Sequence, residues 1–176
     1  MDARRSPRLR ENSHLPREGW SDWERAMVNV GPQTVRYDLE PRGRGQVGFI
    51  CSSIRNAFPD QAQCCGIYEW QARRSDQSNR VVYIGSTCRC ARKPGPLHKR
   101  ILEYCTSGSH KRDLINDALR REYELWVRVK NSTPRQNSRK DAERMENELL
   151  AMYDYAWNIR QNNGIRNILP RSQHSW

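Results

Sequence analysis

Gly66-Ile67-Tyr68-Glu69-Trp70-Gln71-Ala72, followed after a polar turn by Arg80-Val81-Val82-Tyr83-Ile84-Gly85, is the part of this 176-residue sequence whose reading decides the fold. Both segments read as β-strands. The link between them, Arg73–Asn79, is polar and turn-forming, so an antiparallel hairpin is the simplest connection. A hairpin sets Tyr68 and Tyr83 on neighbouring strands. It makes them close neighbours only in a favourable register, which the sequence leaves open.

Downstream, Arg92-Lys93-Pro94-Gly95-Pro96 reads as a loop ending in a helix start, since proline is tolerated at the first helical position. The helix is expected over about Leu97–Cys105, with Leu97, Ile101 and Cys105 as its apolar stripe. Arg100 and Tyr104 share the i, i+4 spacing and point one way from the edge of that stripe. A second helix is expected over about Lys111–Arg121. Tyr123–Val129 alternates with period two and reads as a third strand. A third helix over about Lys140–Tyr155 carries the stripe Ala142, Met145, Leu149, Met152, Tyr153 and Ala156.

The order β-β-α-α-β-α predicts an α+β domain over residues 61–170, a small three-stranded antiparallel sheet flanked by helices. Upstream lies a 1–60 extension. Its first 18 residues are arginine-rich and almost free of apolar side chains, and they read as a partly disordered basic tail. Trp20, Trp23, Ala26, Met27 and Val30 are spaced like a short amphipathic helix, followed by a turn at Gly43 and Gly45 and the apolar patch 47–50. Residues 171–176 form a short tail.

Lys and Arg number 31 against 20 Asp and Glu, a net charge of +11 that favours a polyanionic partner, most simply nucleic acid. The bland reading is a solvated basic surface. No apolar run approaches a membrane span and no signal-like segment opens the sequence, which implies an intracellular protein with no membrane partner. Residues 86–112 hold seven basic residues against Glu103 alone. Arg89, Arg92, Lys93, Lys99, Lys111 and Arg112, beside Arg100, are the candidate phosphate contacts of a DNA cradle. Of the six cysteines, adjacent Cys64 and Cys65 argue for a reducing compartment rather than a disulfide framework. Cys88, Cys90, His98 and Cys105 are candidates for a zinc site, although their spacing matches no common zinc pattern, and small core residues are the alternative.

Glu146 falls between Leu150 and Tyr153 around its helix, at the border of the apolar stripe. A carboxylate there costs free energy unless something neutralises it. A divalent metal would do so, and so would an arginine such as Arg100. On the residues alone both readings stand. Tyr68 and Tyr83 likewise have a packing reading beside a chemical one.

These motifs resemble the GIY-YIG nuclease family, named for two strands like Gly66-Ile67-Tyr68 and Tyr83-Ile84-Gly85. In that family a helix follows with an arginine and, four residues on, an aromatic or histidine, as Arg100 and Tyr104 stand here. A later helix carries a metal-binding glutamate in a Glu-x-x-Leu-(Ile/Leu) setting, as Glu146, Leu149 and Leu150 do. An asparagine lies about a dozen residues further, as Asn158 does. The resemblance implies the GIY-YIG fold and hydrolysis of DNA phosphodiester bonds. Tyr68 would be general base, Tyr83 would orient the water or phosphate, and Arg100 would stabilise phosphoryl charge. Tyr104 would bond the phosphate or Tyr68, and Glu146 would hold one Mg²⁺ or Mn²⁺. Gly66, Gly85 and Asn158 would support them. His98 and His110 lie off the matched positions. Gly108-Ser109-His110, Leu125–Arg128, Ala142–Glu146 and Tyr153–Asn158 are further similar to plant effector-of-transcription proteins, which would imply nuclear DNA work. The cysteine-rich repeats of those proteins are missing. The functional expectation is a metal-dependent DNA endonuclease, with nicking as one form its cleavage could take and a DNA-binding transcriptional regulator of weak or no cleavage as the alternative.

Overall fold

The structure is a computed structural model. It describes residues 6–7, 19–29, 35–37, 39–42, 46–49, 65–76, 79–88, 96–105, 110–132, 138–159, 164–166 and 169. In chain order the strands are β1 (Ser6–Pro7), β2 (Glu24–Asn29), β3 (Val35–Tyr37), β4 (Leu39–Arg42), β5 (Gln46–Phe49), β6 (Gly66–Arg73), β7 (Arg80–Thr87), β8 (Glu124–Asn131) and β9 (Tyr153–Asp154). The helices are α1 (Pro96–Cys105), α2 (Arg112–Arg120) and α3 (Arg139–Met152).

β6 and β7 form the expected antiparallel hairpin, with Tyr68 opposite Gly85 and Trp70 opposite Tyr83. β8 pairs antiparallel with the other side of β6, Tyr68 facing Val129. The sheet is larger than the three strands expected: it has five, in the order β3-β2-β8-β6-β7. The additional two come from the N-terminal extension. β2 lies antiparallel on β8 and carries β3 with it. The expected boundary at residue 60 falls outside the described residues. So does most of the 1–18 tail, of which Ser6–Pro7 pairs in parallel with β9.

The helix expected around Trp20–Val30 is therefore a strand. The register of β2 shifts between Arg25 and Met27, and Ala26 and Met27 are both fully buried. A bulge sends two consecutive side chains inward, and this breaks the period-two pattern by which a strand is recognised.

Two cores flank the sheet. Tyr68, Trp70 and Ala72 of β6 point with Leu125, Val127 and Val129 of β8 toward α1 and α2. Ile67 and Ile84 point the other way, to Leu150, Met145 and Leu149 of α3 and to Trp20 and Trp23. Ser138 caps α3, its hydroxyl accepting from the Asp141 amide at 3.2 Å, which satisfies one of the helix's orphan donors. α3 ends at Met152, earlier than expected. Met152 is 55% exposed rather than part of the stripe, because the chain turns into β9 there and Tyr155, Ala156 and Trp157 take over the burial.

Cys65 and Cys88 stand one step beyond the facing pair Gly66 and Thr87, and they are joined by a disulfide. The fold thus departs from the expectation of reduced cysteines, since pairing of β6 with β7 brings their flanking thiols together. Cys88 is in that bond and Cys105 is buried in the α1 core, so neither is placed as the zinc reading requires. Cys90 and the side chain of His98 lie outside the described residues.

Candidate active site

The register of β6 on β7 builds the site. Tyr68 faces Gly85, where an added Cβ would stand 2.6 Å from the Tyr68 Cζ and closer still to its hydroxyl. Glycine at 85 is what leaves room for the phenol. At Gly66 a Cβ would run into the backbone of Lys130 and Asn131, so glycine there lets β8 close on β6.

Tyr83 lies two positions along, its ring 6.3 Å from that of Tyr68. α1 lays Tyr104 across both, with ring centroids at 5.6 and 5.9 Å. The Tyr68 and Tyr104 hydroxyls are 3.0 Å apart. One turn earlier on α1, the Arg100 Nε donates to the Tyr68 hydroxyl at 3.3 Å, while another of its nitrogens pairs with Glu103 at 2.6 Å. The i, i+4 placement of Arg100 and Tyr104 read from sequence thus holds in space. From the other side of the sheet, α3 brings Glu146 to β7, where the Ser86 hydroxyl donates to its Oε2 at 2.5 Å. Asn158 does not face the reacting groups with a free amide. Its Oδ1 accepts from the Ile84 amide at 3.0 Å and its Nδ2 donates to the Ile84 carbonyl at 2.9 Å. Two bonds to one residue clamp the middle of Tyr83-Ile84-Gly85.

These groups line a single pocket of about 290 Å³, with Tyr68, Tyr83, Gly85, Ser86, Arg100, Glu146 and Asn158 in its wall. Tyr68 sits deep, 1% exposed, and Tyr104 is equally covered. Burial raises the Tyr68 pKa above the ordinary phenol value, although Arg100 pulls it down. Burial raises Tyr83 and Tyr104 as well, and the neighbouring phenol Tyr68 adds to it in both. Burial also opposes the Arg100 charge. The phenol oxygens of Tyr68 and Tyr104 and the Glu103 carboxylate outweigh it, and the guanidinium stays charged.

Three wall residues were outside the sequence reading of the chemistry. His110 packs edge-on against Tyr83 and Tyr104, each at 6.2 Å, and burial followed by Lys111 and Arg100 lowers its pKa. Glu143 and Ser86 also line the pocket. Position relative to the matched GIY-YIG motifs could not find His110, because only tertiary packing brings its ring against Tyr83 and Tyr104. A stripe count puts Glu143 further from the buried face than Glu146, yet α3 lies against the edge strand, where that flank of the helix meets the pocket.

The basic residues divide. Lys99 and Arg112 are exposed, as a phosphate-contacting role requires. Lys111 is not: it is 2% exposed, its Nζ donates to the Trp157 carbonyl at 2.6 Å and lies 5.2 Å from the Tyr83 ring centre. That ammonium braces the pocket wall from within, and burial lowers its pKa. Arg89, Arg92 and Lys93 fall outside the described residues. No described helix is long and apolar enough to cross a membrane.

A family model described as GIY-YIG domain-containing protein matches residues 36–169, most of the chain. No curated protein and no solved structure matches.

Proposed function

Because the chain belongs to the GIY-YIG domain family, a nuclease superfamily whose nucleases act on DNA, we propose that it is a metal-dependent endonuclease that nicks DNA. One observation carries this reading: Tyr68, Tyr83, Arg100 and Glu146, drawn from four elements and both sides of the sheet, wall one pocket. Arg100 binds the non-bridging oxygens of the scissile phosphate and stabilises the charge that builds there. Tyr83 orients the attacking water at the mouth. Tyr68 accepts the water's proton after giving up its own. That proton leaves to solvent through the pocket that Tyr68 lines, and the Tyr104 hydroxyl at 3.0 Å and Arg100 favour the phenolate left behind. Asn158 holds the strand that carries Tyr83.

The donor chemistry fits a hard divalent cation. Glu146 presents a carboxylate oriented by a hydroxyl, and the described residues hold no group of three His, Cys, Asp or Glu. Mg²⁺ is commonly held by one or two carboxylates, several waters and a substrate phosphate. Glu146 would hold one Mg²⁺ or Mn²⁺, which when bound supplies charge neutralisation at the leaving 3′ oxygen. One such set of residues among the described ones supports one cut per encounter.

The deep burial of Tyr68 and Tyr104 favours a second reading, a DNA-binding regulator that keeps the fold and cleaves weakly. Its nuclear setting rests on the sequence likeness to plant effector-of-transcription proteins and on the net charge of +11. Supercoiled plasmid with Mg²⁺ or Mn²⁺ separates the two. Conversion to nicked circles, lost in Glu146→Gln, is the expected result. Salt-dependent retention of plasmid without conversion would favour the regulator, and no retention at all would remove both.

A further inference from the structure

We propose that Ser86 is a positioning residue that sets the metal affinity of the site, an inference that rests on the metal-dependent reading above. Ser86 follows Gly85 on β7. Along a strand successive side chains alternate in direction. Gly85 clears the way for Tyr68 on one face, so Ser86 is directed to the face where α3 packs. There its hydroxyl donates to the Glu146 Oε2 at 2.5 Å. The two residues are 60 apart in sequence, on different elements, so the bond fixes α3 to the site strand at the acid itself.

A carboxylate at the end of a glutamate side chain is free to rotate about its last bond, a broad and soft torsion. A donor on one oxygen fixes that rotation, and with it the direction in which the lone pairs of the group face the pocket. Partners of this kind orient metal ligands, and their loss typically costs about 10–100-fold in metal affinity. Ser86 also stands at a junction. It lines the main pocket and, with Thr87, Cys88 and Arg139, a neighbouring cavity of about 230 Å³. Its hydroxyl therefore holds Glu146 in the wall of the main pocket from a strand position that borders both concavities.

The test compares Ser86→Thr with Ser86→Val, side chains of nearly equal shape that differ in the hydroxyl. Both β-branched residues suit a strand, so a change seen only in the valine variant belongs to the hydrogen bond. Mn²⁺ binding to the full chain without DNA is followed by electron paramagnetic resonance. Plasmid nicking is then measured over a range of Mn²⁺ concentrations. Ser86→Val should weaken Mn²⁺ binding at least about tenfold while Ser86→Thr stays near the parent. At saturating Mn²⁺ the valine variant should recover most of its kcat, because the lost interaction acts on binding of the ion. Equal Mn²⁺ affinity in all three proteins would overturn the inference and leave the nuclease reading standing. A parent that binds Mn²⁺ but never nicks would overturn the nuclease reading and leave Ser86 to be judged on affinity alone. A parent that binds no Mn²⁺ would overturn both.

Discussion

The same three side-chain types meet twice in this molecule, once around a cavity and once without one. Arg100, Tyr68 and Glu146, brought together at the edge strand from both sides of the sheet, border an open pocket. Arg128, Tyr155 and Glu69, on the side where α3 packs, are closed in. Arg128 donates twice to Glu69 Oε2, at 2.8 and 2.6 Å, and the Tyr155 hydroxyl donates to Oε1 at 2.5 Å. Trp20 and Trp23 then cover the guanidinium, with ring centres 4.3 and 4.6 Å away. Glu69 is wholly buried and Arg128 nearly so. Composition does not distinguish a reactive site from a rivet. In the closed cluster each charge spends its hydrogen bonds on the others and the indoles exclude any ligand. In the open cluster the arginine bonds a phenol and a nearby glutamate, and a cavity remains against the acid. The contrast also gives the N-terminal extension a role, since Trp20 and Trp23, the lid of the rivet, come from it.

Truncating each arginine in turn should break the symmetry. Arg128→Ala strands the Glu69 carboxylate in a dry interior. We expect a loss of about 3–5 kcal/mol in stability by urea denaturation, as removal of one partner from a buried ion pair typically gives. Against a total stability of about 5–15 kcal/mol, that leaves a protein marginal at 37 °C. Arg100→Ala should behave in the reverse way. Its ion pair with Glu103 is partly solvated, and such pairs contribute about 0–1 kcal/mol. Plasmid nicking by Arg100→Ala should fall about 10²–10³-fold, the usual cost of a lost transition-state donor. Equal destabilisation by the two substitutions would mean that the pocket is a second rivet.

A smaller effect sharpens the boundary between the two clusters. Asn158 is polar and buried, like the rivet, yet it serves the site strand. Asn158→Ala leaves the Ile84 amide and carbonyl without their side-chain partner. It should cost about 1–3 kcal/mol in thermal or urea unfolding. If Asn158 only braces, Asn158→Asp should keep the bond from the Ile84 amide and recover part of that stability.

Much of the open cluster was legible in the sequence, and almost none of the closed one. Tyr68, Tyr83, Arg100, Tyr104 and Glu146 each sit at a spacing that period two or 3.6 converts into a direction, and in the fold they meet in one place. The closed cluster joins Glu69, Arg128 and Tyr155 across 59 and 86 residues with no local pattern between them. Its lid was read as a helix, because the β2 bulge buries Ala26 and Met27 together and so imitates helical spacing. Lys111 shows the same limit for charge. A count of basic residues places it among the phosphate contacts, while tertiary packing turns its ammonium into the protein. His110 failed in the opposite direction, off the matched GIY-YIG positions and yet against the phenols.

The phenols themselves supply the last and smallest contrast, in a titration. Burial raises the pKa of Tyr68, Tyr83 and Tyr104 above the ordinary value of about 10. A phenol that ionises less readily folded than unfolded contributes stability below that ordinary value, and loses it as pH rises through the folded one. Stability should therefore be flat to about pH 10 and decline beyond it. Tyrosinate absorbance near 295 nm should show these three rings ionising late, close to alkaline unfolding. The charges around the pocket then shift the onset in opposite directions. Arg100 lowers the Tyr68 value, so Arg100→Ala should delay ionisation further. Glu146 raises Tyr68 and Tyr83, so Glu146→Gln should advance it. Arg128→Ala and Arg100→Ala should differ here as they do in activity. Arg100 and Glu146 of the open cluster act directly on the Tyr68 and Tyr83 ionisation, and a shift in Tyr68 ionisation from Arg128→Ala would show that the two clusters are electrostatically coupled.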